Sequence, residues 1–460
     1  MSDPPRDRQA LVARAMNASE FIANCLLPNQ PALLSADCTG TAAWGASQGW
    51  RADGGISPVN FAALRAFADE LGDPRVPVEF EEQDSAASGY GERWRSKQRL
   101  LAYLEQWEQW AIVGLRDHDQ DSEEHDFAPR PPYLKDWHVS RDHGEALARR
   151  LYETPPQFSD DWLGLWTRLR GDDFRFVYAG PRGSWTPLHH DVLCSYSWSA
   201  NVAGTKLWVL FPPGVESLLD DGRGDLVPDA RPEQHNRYSA EVAARLALAY
   251  SRALVVEQLA GEVMFVPAGW HHQVHNLNDC ISINHNWTSG VGISHIWRFL
   301  TARARAVRAE LDDLAPNSGS ELAFKTEDEF QAQCALLLRA ENSNMDLTEV
   351  LRMAAGAVRR ALERNGGRLP ADGSLAGVLA ILADCAPALA EAELDSEAAG
   401  GLPAPVSTAP VEPSDGSGVR SHPACSTVAD SSAYPLVLSA EARDLARQLR
   451  RELRLAAAAV

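Results

Sequence analysis

Two short stretches carry the side chains best suited to chemistry: Gly180-Pro-Arg-Gly-Ser-Trp-Thr-Pro-Leu-His-His-Asp191 and, about eighty residues later, Phe265-Val-Pro-Ala-Gly-Trp-His-His-Gln-Val-His275. One residue separates His189 from Asp191, so on extended backbone both side chains leave the same face. The second stretch reads as an apolar strand ending in Pro-Ala-Gly, which delivers further imidazoles to the same point. Two imidazoles and one carboxylate on one face of a metal, with the other positions open, suit a non-haem iron(II) centre that activates oxygen. A His-x-Asp triplet alone more often forms a turn or a hydrogen-bonded pair, so its neighbours decide. After Asp191, residues 195–202 alternate polar and bulky side chains, Gly204-Thr follows as a turn, and residues 206–212 are apolar apart from Lys206. This pattern predicts a hairpin with a lysine at its mouth. A lysine facing inward there needs an anionic partner to stay charged.

The stretches 173–191, 195–201 and 261–277 resemble JmjC-domain 2-oxoglutarate oxygenases. Within that superfamily they resemble the group that hydroxylates a lysine in the eukaryotic translation termination factor. The likeness runs on through Ile281-Ser-Ile-Asn-His-Asn-Trp287 and back to Tyr133-Leu-Lys-Asp-Trp-His138, covering roughly residues 20–300 and leaving the last third unmatched. It implies a double-stranded β-helix of the JmjC/cupin type, mainly β, with an N-terminal α/β extension and a C-terminal helical region. It also implies iron(II), with 2-oxoglutarate and dioxygen as co-substrates and a protein as the substrate.

Residue by residue, the resemblance makes His189 and Asp191 metal ligands. Alternation puts His271 and His275 on one face of their strand and His272 on the other. Spacing to the following Asn-Leu matches His272 to the family's distal ligand, with His271 outward or behind it. Tyr133, Thr186, Lys206 and Asn284 match contacts to 2-oxoglutarate, with Lys206 and Tyr133 at its distal carboxylate. Where many members carry an asparagine ten residues after the first histidine, this chain has Ser199, with Asn201 two further on; either one can line the pocket. His138 and His143 read as surface residues, and His190 and His285 as packing or surface residues. Two other readings stand beside protein hydroxylation: a JmjC lysine demethylase, which commonly carries Cys/His zinc modules that are not evident here, and a non-catalytic cupin scaffold.

The elements that must position these groups follow from periodicity. Residues 1–16 read as a polar tail and 17–130 as the α/β extension, with Asn17 or Ser19 capping a first helix, a strand at 31–34, a helix at 57–71, a strand at 76–80 and an amphipathic helix at 92–110. Residues 117–124 form an acidic stretch. The β-helix domain spans 131–300, and residues 215–254 are an insertion with a helix near 239–251. Helical spacing continues over 301–394, 395–434 has the Gly, Pro and Ser content of a linker, and 435–460 ends in a mildly basic helix. The Ala-rich helices are candidates for a homodimer interface.

Composition narrows the classes. At 460 residues the chain can bury at least one large core. Its 43 basic and 63 acidic residues give a net charge of −20, which argues against broad nucleic-acid binding and favours a basic peptide or protein partner. The 7 cysteines are scattered with no Cys-x-x-Cys pair, the pattern of free thiols in a reducing compartment. No apolar run has the length of a membrane span, and a cytosolic or nuclear location is expected.

Overall fold

In the computed structural model of the chain, the described residues are 12–13, 16–52, 57–81, 93–116, 131–168, 170–370, 373–390 and 438–458. Two facing sheets organise them. The larger has the order β1-β2-β11-β8-β13-β6-β5-β3-β4, built from β1 (Val12–Ala13), β2 (Ala32–Leu34), β3 (Arg75–Glu81), β4 (Arg93–Arg99), β5 (Tyr133–Trp137), β6 (Arg175–Gly180), β8 (Tyr196–Ala203), β11 (Val263–Val266) and β13 (Cys280–Trp287). The smaller has the order β10-β9-β12-β7, from β7 (Trp185–His189), β9 (Thr205–Phe211), β10 (Leu254–Leu259) and β12 (His271–Asn276). Strands β6 to β13 are the expected jelly-roll, and the N-terminal extension lengthens one of its sheets.

Strands β8 and β9 do not form the predicted hairpin. Strand β8 pairs with β11 and β13, whereas β9 pairs with β10 and β12, so the chain crosses between sheets instead of turning back. Gly204 makes the crossing at φ +84°, and a Cβ there would run into the Asp279 carbonyl oxygen. Period-two patterning identified both strands but carried no information about which neighbour each would choose.

The predicted helix at 92–110 is also corrected. Residues 93–99 are strand β4, and the helix begins only at Leu100. Cross-strand charge decides this: Arg93 reaches Glu81 at 2.8 Å and Glu79 at 3.2 Å on β3. Within the polar tail, Val12 and Ala13 form β1 and pair in parallel with Leu33 and Leu34. Asn17, not Ser19, caps the first helix, in a reciprocal pair with Glu20. The acidic stretch 117–124 and the linker 395–434 lie outside the described residues.

Among the described residues, ten helices have seven or more residues: α1 (Phe61–Glu70), α2 (Leu100–Arg116), α3 (Glu145–Leu151), α4 (Trp162–Arg168), α5 (Ala240–Tyr250), α6 (Ile293–Glu310), α7 (Glu327–Glu341), α8 (Leu347–Arg364), α9 (Ala376–Ala390) and α10 (Ala440–Ala458). The extension and the larger sheet share an aromatic core in which Phe158 stacks on Trp198 at 5.5 Å. Helix α5 of the insertion covers the outer face of the smaller sheet through Val242, Leu246 and Ala249. A separate core joins α4 to α6, α8, α9 and α10, with Trp162, Trp166 and Leu193 from the β-helix side. The last helix therefore docks back on the chain, where Arg359 of α8 meets Glu452 of α10 at 3.0 Å.

Candidate active site

His189 ends β7, and His272 lies directly across from it on β12 in the antiparallel ladder. Asp191 follows β7 in extended conformation and opens a turn at 192–194. One ligand atom from each of the three residues lies within 4.8 Å of the others. The ring orientations are set by backbone carbonyls: His189 Nδ1 lies 2.8 Å from Pro187 O, and His272 Nδ1 lies 3.0 Å from Trp270 O. A carbonyl oxygen only accepts, so each neutral ring donates from Nδ1 and presents the Nε2 lone pair to the site. Burial, reinforced by neighbouring His272, holds the His189 imidazole well below its usual range and so in the neutral, ligating form.

The carboxylate is held as firmly as the imidazoles. Asn286 Nδ2 donates to Asp191 Oδ1 at 2.8 Å, and the Ser197 hydroxyl donates to Oδ2 at 2.7 Å. Trp208 stacks on the His272 ring at 5.7 Å between centroids. Ser197 and Asn286 share strand parity with Ser199 and Asn284, but nothing in the sequence tells what they hold or singles out Trp208. The donor set, two imidazole nitrogens and a doubly hydrogen-bonded carboxylate, fits iron(II).

The triad opens into a cleft of about 480 Å³, part of it open to solvent, between the two sheets. Tyr133, Thr186, Lys206 and Asn284 all line it. Lys206 is 2% exposed, and its Nζ lies 3.4 Å from the Tyr133 hydroxyl. Burial lowers its pKa to about 8, and no carboxylate among the described residues forms an ion pair with it. A buried cation in that state calls for an anion from outside the chain. Ser199 also lines the cleft, and its buried Oγ has no hydrogen-bond partner. Asn201 is directed elsewhere, donating to Gly204 O at 2.7 Å, so of the two candidates Ser199 is the one at the pocket. These groups fit a dicarboxylate lying between the triad and Lys206.

His271 lies behind the ligands: it is on the face of β12 away from the cleft and 2% exposed, with its ring 5.4 Å from that of His190. His275 stacks on Trp185 at 5.2 Å, and Gln273 Nε2 lies 2.8 Å from its Nε2. His285 is buried, lines the cleft and bonds the Tyr152 hydroxyl at 2.8 Å. His138 and His143 are half-buried instead of at the surface; His138 Nδ1 meets Asp173 Oδ1 at 2.5 Å, and the His143 ring packs on Trp137.

With this geometry in place, comparison with known proteins gives the family. Residues 176–287 match the model of the JmjC domain, hydroxylase. The chain is 36% identical over 324 residues, 70% of its own length and 68% of the relative's, to 2-oxoglutarate and iron-dependent oxygenase JMJD4 of Gallus gallus. This chain belongs to the JmjC-domain 2-oxoglutarate- and iron-dependent oxygenases. The Homo sapiens protein of the same name is 38% identical over 305 residues, covering 65% of this chain and 66% of that protein. A relative with another description, Arginine-specific demethylase JMJ20 of Arabidopsis thaliana, is 32% identical over 355 residues, covering 73% of this chain and 67% of its own length. The match thus spans about two thirds of each relative. Iron(II) and 2-oxoglutarate are accordingly the cofactor and co-substrate of this JmjC oxygenase.

Proposed function

We propose that the chain is a protein hydroxylase that adds one oxygen atom to a lysine side chain of the translation termination factor. His189, Asp191 and His272 would hold iron(II), and Lys206, Tyr133, Thr186 and Asn284 would hold 2-oxoglutarate. Bound there, iron(II) supplies the oxygen activation that couples decarboxylation of 2-oxoglutarate to insertion of oxygen into a C–H bond. The chain's part is positional. Nδ1 donation to backbone carbonyls aims both Nε2 atoms, Asn286 and Ser197 fix the carboxylate, and Lys206 would neutralise the distal end of the co-substrate.

The observation that carries this reading is the triad of His189, Asp191 and His272 opening on a cleft with the buried Lys206 at its wall. Asp136, a charged group behind that wall, accepts from the Tyr178 hydroxyl at 2.6 Å and pairs with Arg95 at 2.5 Å, so its charge is already matched within the chain. The likeness of stretches 173–191 and 261–277 to the termination-factor hydroxylases selects the lysine.

Demethylation is the second reading, because a relative of comparable coverage is described as an arginine-specific demethylase. One experiment separates the two. Recombinant termination factor and methylated histone peptides are each incubated with the enzyme, iron(II) and 2-oxoglutarate, then analysed by intact mass. Hydroxylation is expected as a one-oxygen gain mapping to a lysine of the termination factor, absent with Asp191→Ala. Loss of a methyl group with formaldehyde release, and no gain on the termination factor, would replace this reading with the demethylase.

A further inference from the structure

A second cleft, of about 870 Å³ and partly open to solvent, lies where α4, β6 and α8 meet, and no residue lines both it and the active-site cleft. Its walls carry four guanidinium groups: Arg168 at the end of α4, Arg175 on β6, and Arg360 and Arg364 on α8. Arg360 and Arg364 are four residues apart on one helix, so they project from the same face, where like charges repel. Such a concentration of cations is unexpected in a chain of net charge −20.

The cleft's own two acids, Asp160 and Asp161, offset it only in part. Arg175 is matched by Glu145 at 2.9 Å. Asp160 Oδ1 accepts from Trp162 Nε1 at 3.0 Å and Asp161 Oδ1 accepts from the Gly164 amide at 2.8 Å around the start of α4, and Asp161 also lies within electrostatic reach of Arg168 and Arg175. Among the described residues, no carboxylate forms an ion pair with Arg168, Arg360 or Arg364. Three guanidinium groups with no direct ion pair around a concavity focus positive potential into it, and their planar forks suit bidentate oxyanions.

We propose that this cleft binds a small, multiply charged oxyanion through Arg168, Arg360 and Arg364. Phosphoryl and carboxylate groups share the required chemistry, and two probes tell them apart. The full-length, metal-free protein is titrated calorimetrically with inorganic pyrophosphate and with citrate at constant ionic strength. At least one is expected to bind, and Arg360→Gln with Arg364→Gln should weaken it about tenfold or more, the loss of two charge-assisted contacts. Lys206→Met should bind the probe as wild type does, since it alters only the other cleft. The arginine variant should keep its thermal unfolding and its 2-oxoglutarate turnover, because both side chains are exposed. The proposal is overturned if neither probe binds at millimolar concentration, if the arginine variant binds as wild type does, or if binding is lost in Lys206→Met instead. A variant that fails to unfold like wild type is replaced by the single change Arg364→Gln, read in the same way.

Discussion

Lys206 is a cation held inside the protein with a pKa of about 8 and a neutral tyrosine as its neighbour. An arriving carboxylate favours the charged form, so affinity for 2-oxoglutarate is highest below about pH 8 and falls as pH rises through that value. The KM for 2-oxoglutarate should climb towards roughly tenfold per pH unit above it, and this dependence should be absent in Lys206→Met, whose KM is high throughout. At the metal centre, His189→Ala, Asp191→Ala and His272→Ala should each reduce succinate release to that of the metal-free protein, whereas His271→Ala should retain turnover. Loss with His271→Ala and survival with His272→Ala would reverse the ligand assignment. The groups behind Asp191 act through it. Asn286→Ala and Ser197→Ala should each weaken iron(II) binding by roughly 10- to 100-fold in equilibrium titration, while leaving the 2-oxoglutarate contacts in place.

The elements that carry these residues come from opposite sheets, and Gly204 is where the chain passes from one to the other. Its φ of +84° lies in the left-handed region, and the Asp279 carbonyl and Cys280 sulfur occupy the space a side chain would need. Gly204→Ala combines backbone strain with a collision against backbone. It should cost roughly 3 kcal/mol or more in urea unfolding and misplace Lys206, two residues on. A midpoint equal to wild type would show that the crossing tolerates a Cβ. Strand β12 has its own anchor beneath the insertion. Gln273 accepts from the Ala230 amide at 2.8 Å and donates to the buried Asp229, fastening the strand that bears His272 to the segment covering it. Burial alone would raise the Asp229 carboxyl, but Arg231 holds it at about 2.

In the whole molecule, the C-terminal helices are part of the architecture that holds the site. Leu193, two residues beyond Asp191, is buried in the same core as α6, α8, α9 and α10. Glu349 on α8 ties the helices to the β-helix domain: Trp166 Nε1 donates to it at 2.9 Å, and Arg170 and Arg352 pair with it. Glu349→Ala leaves the buried Trp166 donor and the arginines around it without that acceptor. A loss of roughly 3 kcal/mol in chemical unfolding is expected, with iron affinity reduced as the turn carrying Asp191 loosens. Unchanged stability would mean that the helical region contributes nothing through this contact.

By itself the sequence determined what could be read from short spacing. His189 with Asp191, the Pro-Ala-Gly strand before His272 and the alternating strands around them are local patterns, and side-chain parity along a strand follows from backbone geometry alone. The helix of the insertion was legible for the same reason, as it is expected near 239–251 and Ser239 caps a helix that begins at the next residue. What only the tertiary structure decided were choices among partners distant in the chain. Strand β9 pairs with β10 and β12 instead of β8, the charged run at 93–99 extends because Glu79 and Glu81 lie across from it, and Ser199 rather than Asn201 faces the cleft. The support of Asp191 by Asn286, 95 residues away, belongs with these. Such pairings depend on the relative energies of competing long-range contacts, which no local period encodes.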